Sequence, residues 1–458
     1  MKFHTINPAT EEVIGEYELM SRDKVISIVK DSGKDFEGWR SLDISERAYY
    51  FRKLAKVLRN NKQEYAEMMT IEMGKPIKQS YSEVEKCAWI CEFYADYAAN
   101  WLEEEIVQAD GKKNIVMFQP LGTILSIMPW NYPFWQALRF GIPTLMAGNT
   151  TILKHSNQVP QCALAIEDTF RKAGFPDNVF RTVITDHELV GEIVKSDLIQ
   201  GVSLTGSTGA GSKIAELAGK NLKKVILELG GSDPFIVLED ADPDFAAQNA
   251  VIGRTTNSGQ SCISAKRFIV VKNVAEEFTK KFAEYMEKLI VDDPMKMETN
   301  VGPLVNELGL KSVEFQVQDA VVKGATIVTG GRRLDRKGYF YNPTVISNVR
   351  LNMKIVTEEV FGPVAPVIVV NDEQEAVRIA NNSDFGLGAS IWTRNEERAL
   401  GMARNIDAGY IAINSIVKSD PRMPFGGIKK SGIGRELSKY GLKEFVNVKG
   451  INIYEHKK

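Results

Sequence analysis

Between residues 113 and 231 the chain alternates short β-rich runs with helical stretches, and that alternation excludes most folds at once. The runs "NIVMFQPLGTILSIMPW", "GNTTILKHS", "RTVITD", "GVSLTGSTGAG" and "KKVILELGG" are interleaved with "QCALAIEDTFRKAG" and "GSKIAELAGKNL", whose apolar spacing is helical. Strands joined through a helix return parallel to one another, so the segment predicts a doubly wound parallel sheet in an α/β fold. A second series, with "PFIVLED", "KRFIVV", "ATIVTGG", "VAPVIVV" and "YIAIN", begins at Asp233 and predicts another α/β unit, with a boundary near Gly230 and Gly231. "DPDFAAQNAVIGRTTNSGQS" reads as helix within that series, and residues from Arg22 to Asn100 read as helices throughout. The terminal "KEFVNVKGINIYEHKK" alternates like an exposed strand, which needs cover from another element or subunit.

Charge narrows the class of partner. Lys plus Arg total 57 against 59 Asp plus Glu in 458 residues. That balance gives no basic footprint for nucleic acid or an anionic membrane, so a small-molecule partner is expected. Four cysteines, Cys87, Cys91, Cys162 and Cys262, are too few for a disulfide framework in so long a chain and fit a reducing compartment. With no apolar leader-like segment and no run of about 18 apolar residues, the chain reads as cytoplasmic. The four histidines lie far apart in no ligand spacing, so no metal is expected. Cys87 and Cys91, one helical turn apart, read as helix packing.

Cys262 differs from the other cysteines in its setting. "NSGQSCISAKR" surrounds it with Gly259 and small polar residues, which suits a presented thiol in a bent backbone. Gly206 to Gly211 follow a strand and open a helix, where backbone N–H groups can meet a pyrophosphate, although a plain strand-to-helix turn reads the same. Asn131 follows the apolar run "TILSIM" and is a candidate oxyanion donor or a turn former. Glu228, ending "VILEL", is a general-base candidate or half of a salt bridge.

Together with "INPATEEVIGEY", "EMGKP", "PWNYP", "LTGST", "LELGG", "SGQSC", "EEVFGPV", "PFGG" and "SGIGRE", in order over essentially the whole length, these features resemble the aldehyde dehydrogenase superfamily. The resemblance implies two Rossmann-like α/β domains plus a small β oligomerisation element. Residues 1–102 and 121–230 would form the cofactor-binding domain, 231–430 the catalytic domain, and 103–120 with 440–458 the oligomerisation element of a homodimer or homotetramer. It makes Cys262 the nucleophile, Asn131 the oxyanion donor with the Cys262 N–H, and Glu228 the general base. Cofactor contacts fall to Trp130, Lys154, Gly206, Ser207, Glu359 and Phe361. The chemistry fits: thiol addition converts a trigonal aldehyde carbon into a tetrahedral adduct able to lose hydride, leaving a thioester for water to hydrolyse. Relatives that pass the acyl group to coenzyme A generally lack this glutamate, so Glu228 favours hydrolysis.

Cofactor choice rests on "LKHSN". NAD-preferring relatives commonly carry a glutamate three places after the lysine, where this chain has Asn157. Without that like charge, a 2′-phosphate is tolerated, and Lys154 and Ser156 add attraction, so NADP is expected with NAD possible. Arg139, sharing a helix face with Trp135, matches a position where succinic semialdehyde-oxidising relatives place an arginine for the far carboxylate, and Ser419 matches their hydroxyl donor. Some relatives add an arginine six residues before the nucleophile; Thr256 stands there, and Arg422 or Lys418 are the candidates to replace that charge. A second cysteine that serves as a redox lock in some relatives is replaced by Ser264. Beside succinic semialdehyde oxidation, the same residues suit a dehydrogenase for other short or phosphorylated aldehydes, a structural ion pair for Arg139, or a non-catalytic nucleotide-binding scaffold.

Overall fold

A computed structural model describes residues 2–456. The first residue and the last two of the expected spans, 1 and 457–458, lie outside the described residues. Two twisted sheets dominate. The first runs Gly432–Ile433, Lys224–Glu228, Ile199–Thr205, Thr123–Met128, Thr150–His155 and Phe180–Thr182, parallel throughout except for the short first strand. The second runs Thr326–Thr329, Thr344–Ser347, Val364–Val370, Ala265–Val271, Asp233–Val237, Gly388–Trp392 and Tyr410–Ile413, again parallel but for its first strand. The α/β alternation in the sequence therefore becomes two open parallel sheets.

In the first sheet the strand order reverses between Thr123–Met128 and Ile199–Thr205. Connections on either side of such a reversal leave in opposite directions and open a crevice beyond the strand ends, where α/β folds bind ligands. Trp130 and Asn131 follow one of these two strands, and Gly206 and Ser207 follow the other. The topology alone thus brings four of the sequence candidates to one place.

Fully buried strands read as near-continuous apolar runs because both faces of a parallel sheet are covered. Ala265–Val271 is such a strand, with Phe268, Ile269, Val270 and Val271 inaccessible. Its two cations survive burial because each finds acceptors: Arg267 donates to the carbonyls of Ser232, Ile379 and Ala380 at 2.8, 2.8 and 2.9 Å.

Helix Ile77–Leu102 lies against Pro133–Met146, every residue of which is buried. Glu83 accepts hydrogen bonds from the N–H groups of Phe134 and Trp135 at 3.0 and 2.9 Å and pairs with Lys75, so a carboxylate satisfies the start of the buried helix. Cys87 and Cys91 are buried on this helix face, as their spacing predicts. None of the described helices is long and apolar enough to cross a membrane.

The C-terminal strand Val446–Ile453 finds cover within its own chain. It pairs antiparallel with Lys113–Pro120, which also holds Glu105–Ile106, and its other edge stays open. The segment read as one long helix after Asp242 ends at Thr255; residues beyond it form a turn.

Candidate active site

Cys262 is reached through a strained loop. Asn257, Ser258 and Gly259 have φ of 55°, 56° and 76°, three successive left-handed residues of which only one is glycine. Such backbone persists only where its surroundings hold it. Here Asn257 donates to the carbonyls of Asn131 and Gln260 at 2.7 and 3.1 Å, and its N–H meets Gln79 Oε1 at 2.7 Å. Ser258 Oγ both donates to Gly302 O and accepts from Gly302 N at 3.0 Å, while Gln260 Oε1 accepts from Val305 N at 2.9 Å. Gly259 is obligatory on a second ground: a Cβ there would lie 2.3 Å from Gly362 O.

The thiol itself is only partly buried, yet it is crowded enough that its pKa is pushed up to about 12. Burial is the main cause; Arg139 and Lys266 pull it down while Glu359 and Glu228 push it up. The resting sulfur is therefore protonated at neutral pH. Lys266 bonds the carbonyls of Ser261 and Cys262 at 2.9 and 2.6 Å and pairs with Glu359 at 3.3 Å, so it acts on the sulfur only through space.

Asn131 is buried behind this loop, with Nδ2 donating to Gln260 O at 3.1 Å; an amide carries a second N–H. Glu228 ends strand Lys224–Glu228 and is buried, its Oε1 without a hydrogen-bond partner. Burial, then repulsion from Glu436, raises its pKa well above the ordinary carboxyl range, against the pull of Arg139 and Arg435. The double glycine after it permits close approach. A Cβ on Gly230 would sit 2.4 Å from Glu359 Oε2, and one on Gly231 would sit 2.7 Å from Cys262 O.

A cavity of about 410 Å³ opens at Cys262, walled by Trp135, Arg139, Lys86, Ser419 and Phe425. Arg139, a sequence candidate for substrate, faces this cavity but already forms a buried ion pair with Glu436 and stacks 4.7 Å from the Phe425 ring. The contact is one of charge: neither Arg139 Nε nor either Glu436 oxygen has a directed hydrogen bond. Ser419 and Lys418 are in the cavity wall, whereas Arg422 is tied to Asp420 at 2.9 and 2.6 Å and does not line the cavity.

Lys86 was not marked by the sequence. Its Nζ donates to Ser419 Oγ at 2.6 Å and lies 4.0 Å from the Trp135 ring centroid. Its pKa is pushed down to about 8, chiefly by burial and then by repulsion from Arg139. A signal existed: Gln79, Ser82, Glu83 and Lys86 recur at helical spacing and all reach the cavity, a polar stripe on an otherwise packed helix.

The candidate cofactor residues gather along the crevice. Ser207 caps helix Thr208–Lys220, its Oγ accepting from Ala210 N at 3.3 Å, and a Cβ on Gly209 would meet nothing within 4 Å. That open space over a helix N-terminus suits a pyrophosphate. Lys154 ends buried in strand Thr150–His155, its ammonium pKa lowered by burial against the charge of Asp186; Ser156 and Asn157 follow it, partly exposed. From the other side Glu359 accepts from Gly231 N at 3.0 Å, and Phe361 meets Trp130 edge-on with centroids 5.8 Å apart. These groups have the chemistry to hold a dinucleotide.

Similarity to known proteins agrees with this geometry. The aldehyde dehydrogenase family model matches residues 1–451. A probable NADP(+)-dependent succinate-semialdehyde dehydrogenase of Synechocystis sp. is 46% identical over 451 residues, covering 98% of this chain and 99% of the relative. The NADP(+)-dependent succinate-semialdehyde dehydrogenase of Mycobacterium leprae is 43% identical over 454 residues, with coverage of 98% and 99%. The crystal structure of succinic semialdehyde dehydrogenase from Streptococcus pyogenes, in complex with NADP+ as the cofactor, superposes with a TM-score of 0.97 at 36% identity, covering 99% of this chain and 100% of that one. With its thiol loop, its crevice and its full-length match, the chain belongs to the aldehyde dehydrogenase family.

Proposed function

We propose that the protein oxidises succinic semialdehyde to succinate, hydrolytically and with NADP preferred over NAD. The observation that carries this reading is the cavity in which the Cys262 thiol and a cationic, hydroxyl-bearing wall of Lys86, Arg139 and Ser419 face the same space. A thiol next to positive charge suits an aldehyde that ends in a carboxylate.

In this reading the Cys262 thiol gives its proton to solvent as its sulfur bonds the aldehyde carbon, and the carbonyl oxygen becomes an oxyanion held by the second Asn131 N–H and the Cys262 N–H. Bound NADP supplies the hydride acceptor. Residues Lys154, Ser156, Asn157, Gly206, Ser207, Trp130, Glu359 and Phe361 would hold it; the neutral Asn157 places no like charge against a 2′-phosphate. Once the carbon has lost hydride, Cys262 carries a thioester. Glu228, a stronger base in its ionised form because burial raises its pKa, takes a proton from water as that water attacks the thioester carbon and displaces the Cys262 thiolate.

Steady-state kinetics test the whole reading. Turnover of succinic semialdehyde with NADP should exceed that of butyraldehyde, which lacks the carboxylate, by about 100-fold in kcat/KM, and Asn157→Glu should move selectivity toward NAD. Equal turnover of the two aldehydes would overturn the substrate, and an unmoved NADP/NAD ratio the cofactor reading. The open edge of Val446–Ile453 supports assembly as a homodimer or homotetramer, against which a sedimentation mass of 51.1 kDa would stand.

A further inference from the structure

Of the three cations in the cavity wall Lys418 is exposed, and the other two, Arg139 and Lys86, are not equivalent. Arg139 already has a buried carboxyl partner in Glu436. Lys86 has no carboxylate of the described residues within salt-bridge distance. The acids nearest to it are already engaged: Glu83 accepts from two helix N–H groups and pairs with Lys75, and Asp420 pairs with Arg422. What Lys86 does have is the Ser419 hydroxyl at 2.6 Å and the face of Trp135 at 4.0 Å, contacts that orient an ammonium without neutralising it. A crowded cation in a largely apolar cavity lacks only an anion. The Ser419 oxygen that accepts from Lys86 leaves its own O–H to give.

Resting on the proposed substrate, we infer that Lys86 is a second cation that reads the far carboxylate beside Arg139, with Ser419 donating next to it. Arg139, held by Glu436 and Phe425, also lends its field to Cys262 and Glu228. A second cation here also accounts for Thr256 at the position where some relatives place a second arginine: the charge arrives from helix Ile77–Leu102 instead.

Lys86→Met keeps the length and removes the charge; Lys86→Arg restores it. Kinetics with succinic semialdehyde and butyraldehyde, both with NADP, separate the outcomes. Lys86→Met is expected to lose about tenfold or more in kcat/KM for succinic semialdehyde, through KM, with butyraldehyde within about twofold. Lys86→Arg should recover part of that loss, and the inhibition constant of succinate should rise in parallel in Lys86→Met. An unchanged preference in Lys86→Met would overturn the inference, and so would an equal fall for both aldehydes, which is what a structural lysine gives. Should Lys86→Met not fold, Lys86→Gln is read by the same criteria. Wild-type enzyme that does not prefer succinic semialdehyde would instead defeat the substrate reading.

Discussion

At the residue scale the site is a set of groups held away from their ordinary protonation states. Cys262 is pushed up to about 12 and Glu228 well above the carboxyl range, both chiefly by burial. For Glu228 this has a consequence for stability. A carboxyl whose folded pKa is raised binds its proton more tightly folded than unfolded, so its contribution is present below the unfolded value near 4.5 and is lost as pH rises toward the folded value. Glu228→Gln removes that loss. Its melting temperature should exceed that of the wild type by a margin that widens from pH 5 upward, while hydrolysis fails; a margin flat across pH would contradict a buried, proton-retaining Glu228. Residue types were largely legible in the sequence: a thiol among glycine and serine, an asparagine at a strand end, a glutamate before two glycines. The partners were not. Glu436 and Lys86 approach Arg139 and Ser419 from 297 and 333 positions away along the chain, a distance no local pattern spans.

At the element scale, buried parallel strands announced themselves as apolar runs, and helix Pro133–Met146 as an apolar segment behind a proline. The end of helix Pro243–Thr255 was not legible, because Asn257 and Ser258 adopt left-handed backbone through contacts with Asn131, Gln79 and Gly302 that lie far off in sequence. Gly259 is where local and distant constraints coincide. Gly259→Ala meets both a φ of 76° and a 2.3 Å clash with Gly362 O, and should cost about 2 kcal/mol or more of stability and most of the activity. Differential scanning calorimetry and kinetics on the purified variant measure both, and wild-type values would show that the loop is less constrained than its geometry implies. The polar stripe Gln79, Ser82, Glu83 and Lys86 shows the converse case, an element whose face was readable but whose destination was not.

At the scale of the whole molecule, two parallel sheets meet so that one supplies Asn131, Gly206 and Glu228 and the other leads into Glu359 and Phe361, with Cys262 in the loop before strand Ala265–Val271. Their glycine-lined junction at Gly230 and Gly231 lets a strand end touch both the nucleophile loop and Glu359. The α/β class and this two-sheet plan followed from the alternation of strands and helices; the short antiparallel Gly432–Ile433 that completes the first sheet did not, because two residues carry no periodicity. The central claim is that the substrate becomes covalently bound to Cys262 before water enters. Intact and peptide mass spectrometry of Glu228→Gln, quenched after mixing with succinic semialdehyde and NADP, addresses it directly. The expected result is one succinyl group on the peptide containing Cys262 and none in Cys262→Ser; an unmodified Cys262 during turnover, or a Cys262→Ser enzyme as fast as the wild type, would contradict it.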